Sequence, residues 1–282
     1  MQRTARPRPT VSNEPPSRSR SRRGRAACGP ECHRGGARGE SVADVVAEGG
    51  GGAGGLGLCD ELGWGARKGD VLDLDVEVKQ GATLLMTTQS ATKAFRGETR
   101  QVVRARVEGT LVAWPDPVAC FGGATYGSEV RVTLGGSGAL VLVDAFTSGR
   151  PAYGERWAFE RFSTRVRVER VQKDERCEPV AIDAALLDAQ HGAIGERFGR
   201  VNAFATVFAV GAGVRPVIEA LLEVGREERE QGVLYAPSRL ARDEGAVARV
   251  AGERTEDVLR TVHRRLRNVA EMCGVDPYRA KP

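Results

Sequence analysis

From Asp70 the chain alternates. Leu72, Leu74, Val76 and Val78 point one way, and Asp73, Asp75, Glu77 and Lys79 the other. Period two of this kind belongs to a half-buried strand. Gln80-Gly81 reads as a turn, and a second strand follows from Leu84. Further strands are predicted at Val102–Val107, Glu129–Leu134 and Ala139–Asp144, with Gly135-Gly136-Ser137-Gly138 joining the last two as a hairpin candidate. Arg165–Glu169 alternates again, and Phe204, Thr206, Phe208 and Val210 give one further strand face.

Helical spacing comes late. In Pro216–Gln231, Val217, Ile218, Leu221, Leu222 and Val224 precede a charged run, and Pro216 suits a first helical turn. A second helix is predicted from Glu256 to Cys273, with Val258, Leu259, Val262, Leu266, Val269 and Cys273 on one stripe. Thr255 is its expected N-cap and Gly274 its stop. Many strands followed by two helices, without βαβ alternation, predict a mainly β body, antiparallel or solenoid-like, with appended helices. No sequence repeat of fixed period is evident.

Residues 1–57 read differently. They are rich in Arg, Ser, Pro and Gly and too poor in apolar residues to offset the entropy of ordering. They are expected to be a disordered extension ahead of a folded domain at 58–282. No strand pattern is visible in 1–48. The extension fits an organellar transit peptide, an RNA-binding arm or a segment with no selected role. Residues 1–40 hold ten arginines against Glu14, Glu31 and Glu40, a balance of +7 that exceeds the whole chain's +5. The remainder is therefore mildly acidic at −2, which argues against a globally basic nucleic-acid surface.

The six cysteines are scattered, which suits free thiols in a reducing compartment better than a disulfide framework. Cys28-x3-Cys32-His33 lacks the second ligand pair of a zinc site. No apolar run approaches the roughly 18 residues of a membrane span.

Candidate chemistry is sparse. Ser90-Ala91-Thr92-Lys93 matches the S-x-x-K nucleophile motif, which needs Ser at a helix start and Lys one turn later. Its companions S-D-N and K-T-G are absent from the sequence. The three histidines, His33, His191 and His263, show no ligand spacing. Asp116, Asp144, Glu155 and Asp183 could hold a cation transiently, but scattered carboxylates in an Arg-rich chain are more often paired. Gly122-Gly123 and Gly135-Gly136 lack the context of a phosphate loop. Trp114-Pro115-Asp116-Pro117 reads as a rigid bend, either a core turn or a docking surface.

Seven separated motifs then coincide in order. They are Gly69-Asp70, Gly81-Ala82, Thr87-Thr88-Gln89-Ser90-Ala91-Thr92-Lys93, Pro115-Asp116-Pro117 with Cys120-Phe121, Val143-Asp144, Thr147-Ser148-Gly149-Arg150, and Gly154-Glu155-Arg156-Trp157. On these the chain resembles the UreD (UreH) family of urease accessory proteins, strongly over about residues 69–210 and loosely over 211–282. The resemblance implies a helix-like stack of β-strands with two α-helices near the C-terminus. It implies a cytoplasmic, non-enzymatic chaperone in urea nitrogen metabolism. Such a scaffold binds urease apoprotein and recruits UreF and the GTPase UreG for nickel insertion, and neither nucleic acid nor membrane is an expected partner. No catalytic residue and no stably bound cofactor are expected; nickel passes in transit, through an internal channel whose residues the motifs do not identify. Thr87, Thr88, Gln89, Ala91, Lys93, Pro115, Asp116, Pro117, Phe121, Asp144, Ser148, Gly149, Arg150, Glu155 and Trp157 are the residues expected to serve packing or partner contact.

Overall fold

The computed structural model describes residues 40–48, 56–59, 68–88, 90–224 and 232–274. In chain order the strands are β1 (Glu40–Ala47), β2 (Leu56–Cys59), β3 (Val71–Val78), β4 (Thr83–Thr87), β5 (Thr92–Ala94) and β6 (Gly97–Val107). Next come β7 (Thr110–Trp114), β8 (Val118–Cys120), β9 (Ala124–Leu134), β10 (Ala139–Thr147), β11 (Gly149–Arg150) and β12 (Glu155–Arg156). The last are β13 (Arg161–Val171), β14 (Cys177–Asp188), β15 (Ala203–Val210), β16 (Leu234–Arg239) and β17 (Gly245–Gly252).

The long strands go alternately to two sheets. One sheet has the order β1-β3-β6-β9-β13-β14, and the other β16-β17-β15-β10-β7-β4-β2. Through β13 each coil adds one strand to each sheet, in parallel with the strand before it. Within these two sheets antiparallel pairing begins only with β14 and β15, while β11 and β12 form a separate antiparallel pair. The body is thus the solenoid of the two architectures expected, not the antiparallel one.

Gly135–Gly138 is consequently not a hairpin. It is a corner that carries the chain from β9 in one sheet to β10 in the other, and those two strands do not pair. The corners stack on one another: Ala139 N–H donates to Gly109 O at 2.9 Å, and Thr110 N–H to Ala82 O at 2.9 Å. A Cβ on Gly138 would lie 2.2 Å from Val107 O and 2.9 Å from Gly135 O, so only glycine lets successive corners approach this closely.

The stretch expected to be an extension also needs correcting. β1 lies within residues 1–57, pairs with all of β3, and buries Val45 and Ala47 in the inter-sheet core. β2 likewise pairs with β4. The folded body therefore begins before residue 58. Cys28, Cys32, His33 and the arginines of 1–39 lie outside the described residues.

The described residues form four α-helices, α1 (Ile194–Phe198), α2 (Arg215–Leu222), α3 (Thr255–Arg265) and α4 (Arg267–Cys273), of which α2, α3 and α4 cover the far face of the second sheet while α1 packs beside Trp157. α2 has Pro216 in its first turn and ends at Leu222, because Glu223 is extended; residues 225–231 lie outside the described set. The single helix expected from Glu256 to Cys273 is broken at Leu266, where φ is −100° and ψ 12°. Thr255 is the first helical residue, and the cap position belongs to Arg254, which makes no side-chain cap bond. Glu256 and Asp257 complement the helix dipole in that turn.

Of three buried clusters among the described residues, one gathers around Trp157, Phe159 and Phe162, and the other two follow from the parity of each strand. Leu140 and Leu142 of β10 face the inter-sheet core with Val103 and Ala105 of β6 and Val166 and Val168 of β13. Val141, Val143 and Ala145 face the helices, against Val217, Leu221, Val258 and Val262. The outer face of the first sheet carries charge instead: Arg104 pairs with Asp73 and with Asp75, and Arg131 with Glu129 at 2.6 Å.

Candidate functional site

At one end the inter-sheet core changes character. Continuing the inward parity along each strand leads from Met86 to Thr88, from Val103 back to Gln101, from Val130 back to Ser128 and Tyr126, from Val166 back to Thr164, and from Leu142 on to Asp144. These polar side chains line or border a cavity of about 70 Å³ between the sheets, together with Thr92, Pro115 and Asp116. That is several times the least volume that holds a water molecule.

Asp144 is the charged group at the centre of this zone. Its Oδ2 accepts from Thr164 Oγ1 at 2.8 Å. Burial pushes its carboxyl up to about 6; the Thr164 bond opposes that rise and the charge of Asp183 adds to it. At neutral pH the group is thus mostly ionised but held at a cost in desolvation. Tyr126 donates from its hydroxyl to Gln101 Oε1 at 2.9 Å. Burial, with Cys120 and Asp144 adding to it, pushes the Tyr126 phenol well above its ordinary value. The donors around the cavity are therefore mainly oxygens, the carboxylates of Asp144 and Asp116 with hydroxyls and an amide carbonyl, and the Met86 thioether lies beside them in an otherwise apolar lining.

At the cavity edge the Thr87–Lys93 and Pro115–Pro117 motifs meet. Asp116 N–H donates to Thr88 Oγ1 at 2.7 Å, and the Thr88 hydroxyl donates to Asp116 Oδ2 at 3.2 Å. Thr88 is almost fully buried. Pro115, Asp116 and Pro117 form the link between β7 and β8, with Pro117 buried and Pro115 and Asp116 half-buried. Thr87 is buried in register with Trp114. Lys93 is exposed on β5 and Ala91 half-buried ahead of it, while Gln89 lies outside the described residues. Ser90 sits at a bend and Lys93 on a strand, so the helical turn that an S-x-x-K nucleophile requires is not formed here.

A second constellation gathers the Ser148–Arg150 and Glu155–Trp157 motifs with Phe121. Arg150 binds Glu155 through Nε at 2.9 Å and through Nη2 at 2.7 Å, and Gly122 N–H donates to Glu155 Oε2 at 3.1 Å. The Arg150 hydrogen bonds, and then the Gly122 amide, hold the Glu155 carboxyl below its ordinary range. The same guanidinium lies 3.9 Å from the Phe121 ring centre and 5.3 Å from that of Tyr153. Phe121 meets Phe95 edge-to-face at 5.1 Å.

Behind this hub, Trp157 is buried with φ +55°, donates from its backbone to Ser148 O at 2.7 Å and from its indole to Val201 O at 3.2 Å. It stacks on Phe198 at 4.8 Å. Ser148, Gly149, Arg150, Glu155 and Trp157 are thus one packed unit with a partly exposed rim, whereas Asp144 belongs to the cavity.

Sequence reasoning named Asp144, Thr88 and Asp116 but missed Gln101, Tyr126, Ser128 and Thr164. Their signal was a polar residue at inward parity within a strand, which is readable only once the inward face is known. Among the described residues no three His, Cys, Asp or Glu side chains cluster as a metal site. Burial pushes the Cys120 thiol up to about 12 and the Cys273 thiol up to about 11, so both stay protonated at neutral pH.

The comparisons with known proteins agree with one another. The profile of the family described as UreD urease accessory protein matches residues 63–280. A Sorangium cellulosum (strain So ce56) protein named Urease accessory protein UreD is 42% identical over 224 residues, 78% of this chain and 70% of its own. A protein of the same name from Anaeromyxobacter sp. (strain Fw109-5) is 38% identical, over 78% of this chain and 75% of its own. Urease accessory protein D of Arabidopsis thaliana is 30% identical, over 77% of this chain and 83% of its own.

Proposed function

Because the chain belongs to the UreD family of urease accessory proteins, we propose that it is a non-enzymatic maturation scaffold. It binds urease apoprotein in the cytoplasm and recruits UreF and the GTPase UreG, and nickel is the cargo rather than a resident cofactor. The match over residues 63–280 carries this reading. No helix among the described residues is long and apolar enough to cross a membrane.

The cavity supports the nickel part of the proposal. The carboxylates of Asp144 and Asp116, with weaker oxygen donors around them and neither imidazole nor thiolate among the described lining residues, attract a divalent cation without the ligands that hold late transition metals firmly. Loose binding suits passage. The rim formed by Phe95, Phe121, Arg150 and Tyr153 supports the scaffold part, since exposed aromatics beside an arginine are the composition of binding hot spots.

Co-purification with tagged urease apoprotein, followed by nickel analysis of the urease, tests both parts. The chain is expected to be retained by the apoprotein. Asp144→Asn is expected to be retained equally well but to yield urease with less nickel. Failure to bind the apoprotein would sink the scaffold reading. Undiminished nickel with Asp144→Asn would remove the cavity from the route.

A further inference from the structure

β14 ends the first sheet, and among the described residues it is hydrogen-bonded on one side only, to β13. Natural edge strands are usually blunted by proline, bulges or charge. β14 has such features at its start: Pro179, and a bulge where Val168 pairs with Ala181 but Glu169 pairs with Pro179. From Ala181 to Asp188 it has no proline, no bulge and no cation; its two acids are Asp183, which turns inward to Arg249, and Asp188 at the end of the strand.

Its outward face is also out of keeping with the sheet. Residues directly opposite in a ladder share a face. Arg167 faces Ile182, Arg165 faces Ala184 and Ser163 faces Leu186. The rest of that outer face bears Arg104 with Asp73, Arg131 with Glu129, and Arg167 with Glu169. Ile182 is nevertheless 51% exposed and Leu186 54% exposed. Arg249 reaches Asp183 at 2.6 Å and Arg242 pairs with Glu178; these contacts tie the edge to the second sheet yet leave Ile182 and Leu186 in water.

We propose that β14 is a self-docking edge, at which two copies of this chain pair Ala181–Asp188 antiparallel about Ala184. The register follows from the side chains. Centred on Ala184, Ile182 lies opposite Leu186 of the second copy, Asp183 opposite Ala185, Ala181 opposite Leu187, and Asp188 opposite Val180. Every outward pair from Ile182 to Leu186 is then apolar, and no charge meets a like charge. Centring on Asp183 sets two carboxylates face to face, centring on Ile182 sets Leu186 against Glu178, and centring on Ala185 sets Ile182 against Asp188. A second copy thus satisfies the open backbone groups of β14 and removes its two exposed apolar side chains from water together. The result is one sheet running continuously through both copies.

Light scattering on the size-separated full chain, with Ile182→Lys and Leu186→Lys as variants and circular dichroism to check their folding, reads the proposal. Two-copy mass is expected for the parent chain at micromolar concentration and half that mass for each variant, with unchanged spectra. Ala184→Cys, mildly oxidised, is expected to give a disulfide that joins the introduced thiols of the two copies, identifiable by mass spectrometry. Arg165→Cys, one strand inward, is expected to give none between its own introduced thiols. A single-copy mass at all concentrations, with no disulfide between the thiols that Ala184→Cys introduces, would overturn the proposal. So would a two-copy mass that survives both lysine variants, because the contact would then lie elsewhere.

Discussion

Thr88 and Asp116, 28 positions apart, close a two-way hydrogen-bonded clasp: the Asp116 amide donates to the Thr88 hydroxyl, and that hydroxyl donates to the Asp116 carboxylate. The clasp fixes the segment leaving β4 against the segment leaving β7 at the rim of the inter-sheet cavity. Thr88→Val keeps the shape but leaves the Asp116 amide without this partner. A loss of about 1–3 kcal/mol is expected from urea denaturation, and Thr88→Ser should recover most of it. Equal stability of all three proteins would show that the clasp is incidental.

Asp144 makes a prediction in pH. Its folded value, about 6, lies above the ordinary 3.8. The folded state therefore binds the proton more tightly, so this group's contribution is fully present below the ordinary value and is lost as pH rises through about 6. At about 1.4 kcal/mol per unit the loss is at most about 3 kcal/mol. Asp144→Asn can still accept the Thr164 hydroxyl bond but cannot ionise. Denaturation midpoints of the parent chain minus those of the variant should fall between pH 4 and 7, and a flat difference would remove burial as the cause.

Glu155 has the opposite sign. Its folded value is depressed by Arg150 and by the Gly122 amide, so its contribution is present above the ordinary carboxylate value and is lost as pH falls through the folded one. Glu155→Gln should lower the melting temperature at neutral pH and make less difference in acid. Arg150→Ala should do the same and also loosen Phe121 and Tyr153, readable as increased aromatic mobility by nuclear magnetic resonance.

Gly149 and Gly154 form a matched pair for backbone strain, with φ +96° and +75°. A Cβ on Gly149 would lie 2.4 Å from Cys120 O and 2.9 Å from Glu155 O, whereas nothing lies within 4 Å of one on Gly154. Gly154→Ala should cost about 1–2 kcal/mol, the conformational penalty alone. Gly149→Ala meets two backbone carbonyls that cannot move without breaking the hub, and should cost clearly more or prevent folding. Similar losses for the two would contradict the close approach.

Parts of this architecture were legible in the sequence. Leu72 to Val78 alternates cleanly because the outer face of β3 is wet, and the stripe from Val258 to Cys273 marks helices against a core. Winding was not legible, since period two tells which face is buried but not which strand is the neighbour. That is why Gly135–Gly138 resembled a hairpin although it is a corner between sheets. β1 was hidden because its apolar residues, Val42, Ala43, Val45, Val46 and Ala47, do not alternate with polar ones and sit between Arg- and Gly-rich stretches. The break at Leu266 leaves the apolar stripe intact, so spacing alone could not reveal it. At the candidate site the motif residues were visible as motifs, but their division between the Asp144 cavity and the Arg150 hub required the fold.

The most direct measurement is complementation of urease maturation. The full chain would be expressed with a urease and every accessory protein except UreD, from a source whose UreD is about as similar as the 42% identical Sorangium relative. Urea hydrolysis would be assayed with nickel supplied. Restored hydrolysis, reduced by Asp144→Asn, is the predicted result. No hydrolysis from soluble, folded chain that co-purifies with the urease apoprotein would contradict the account.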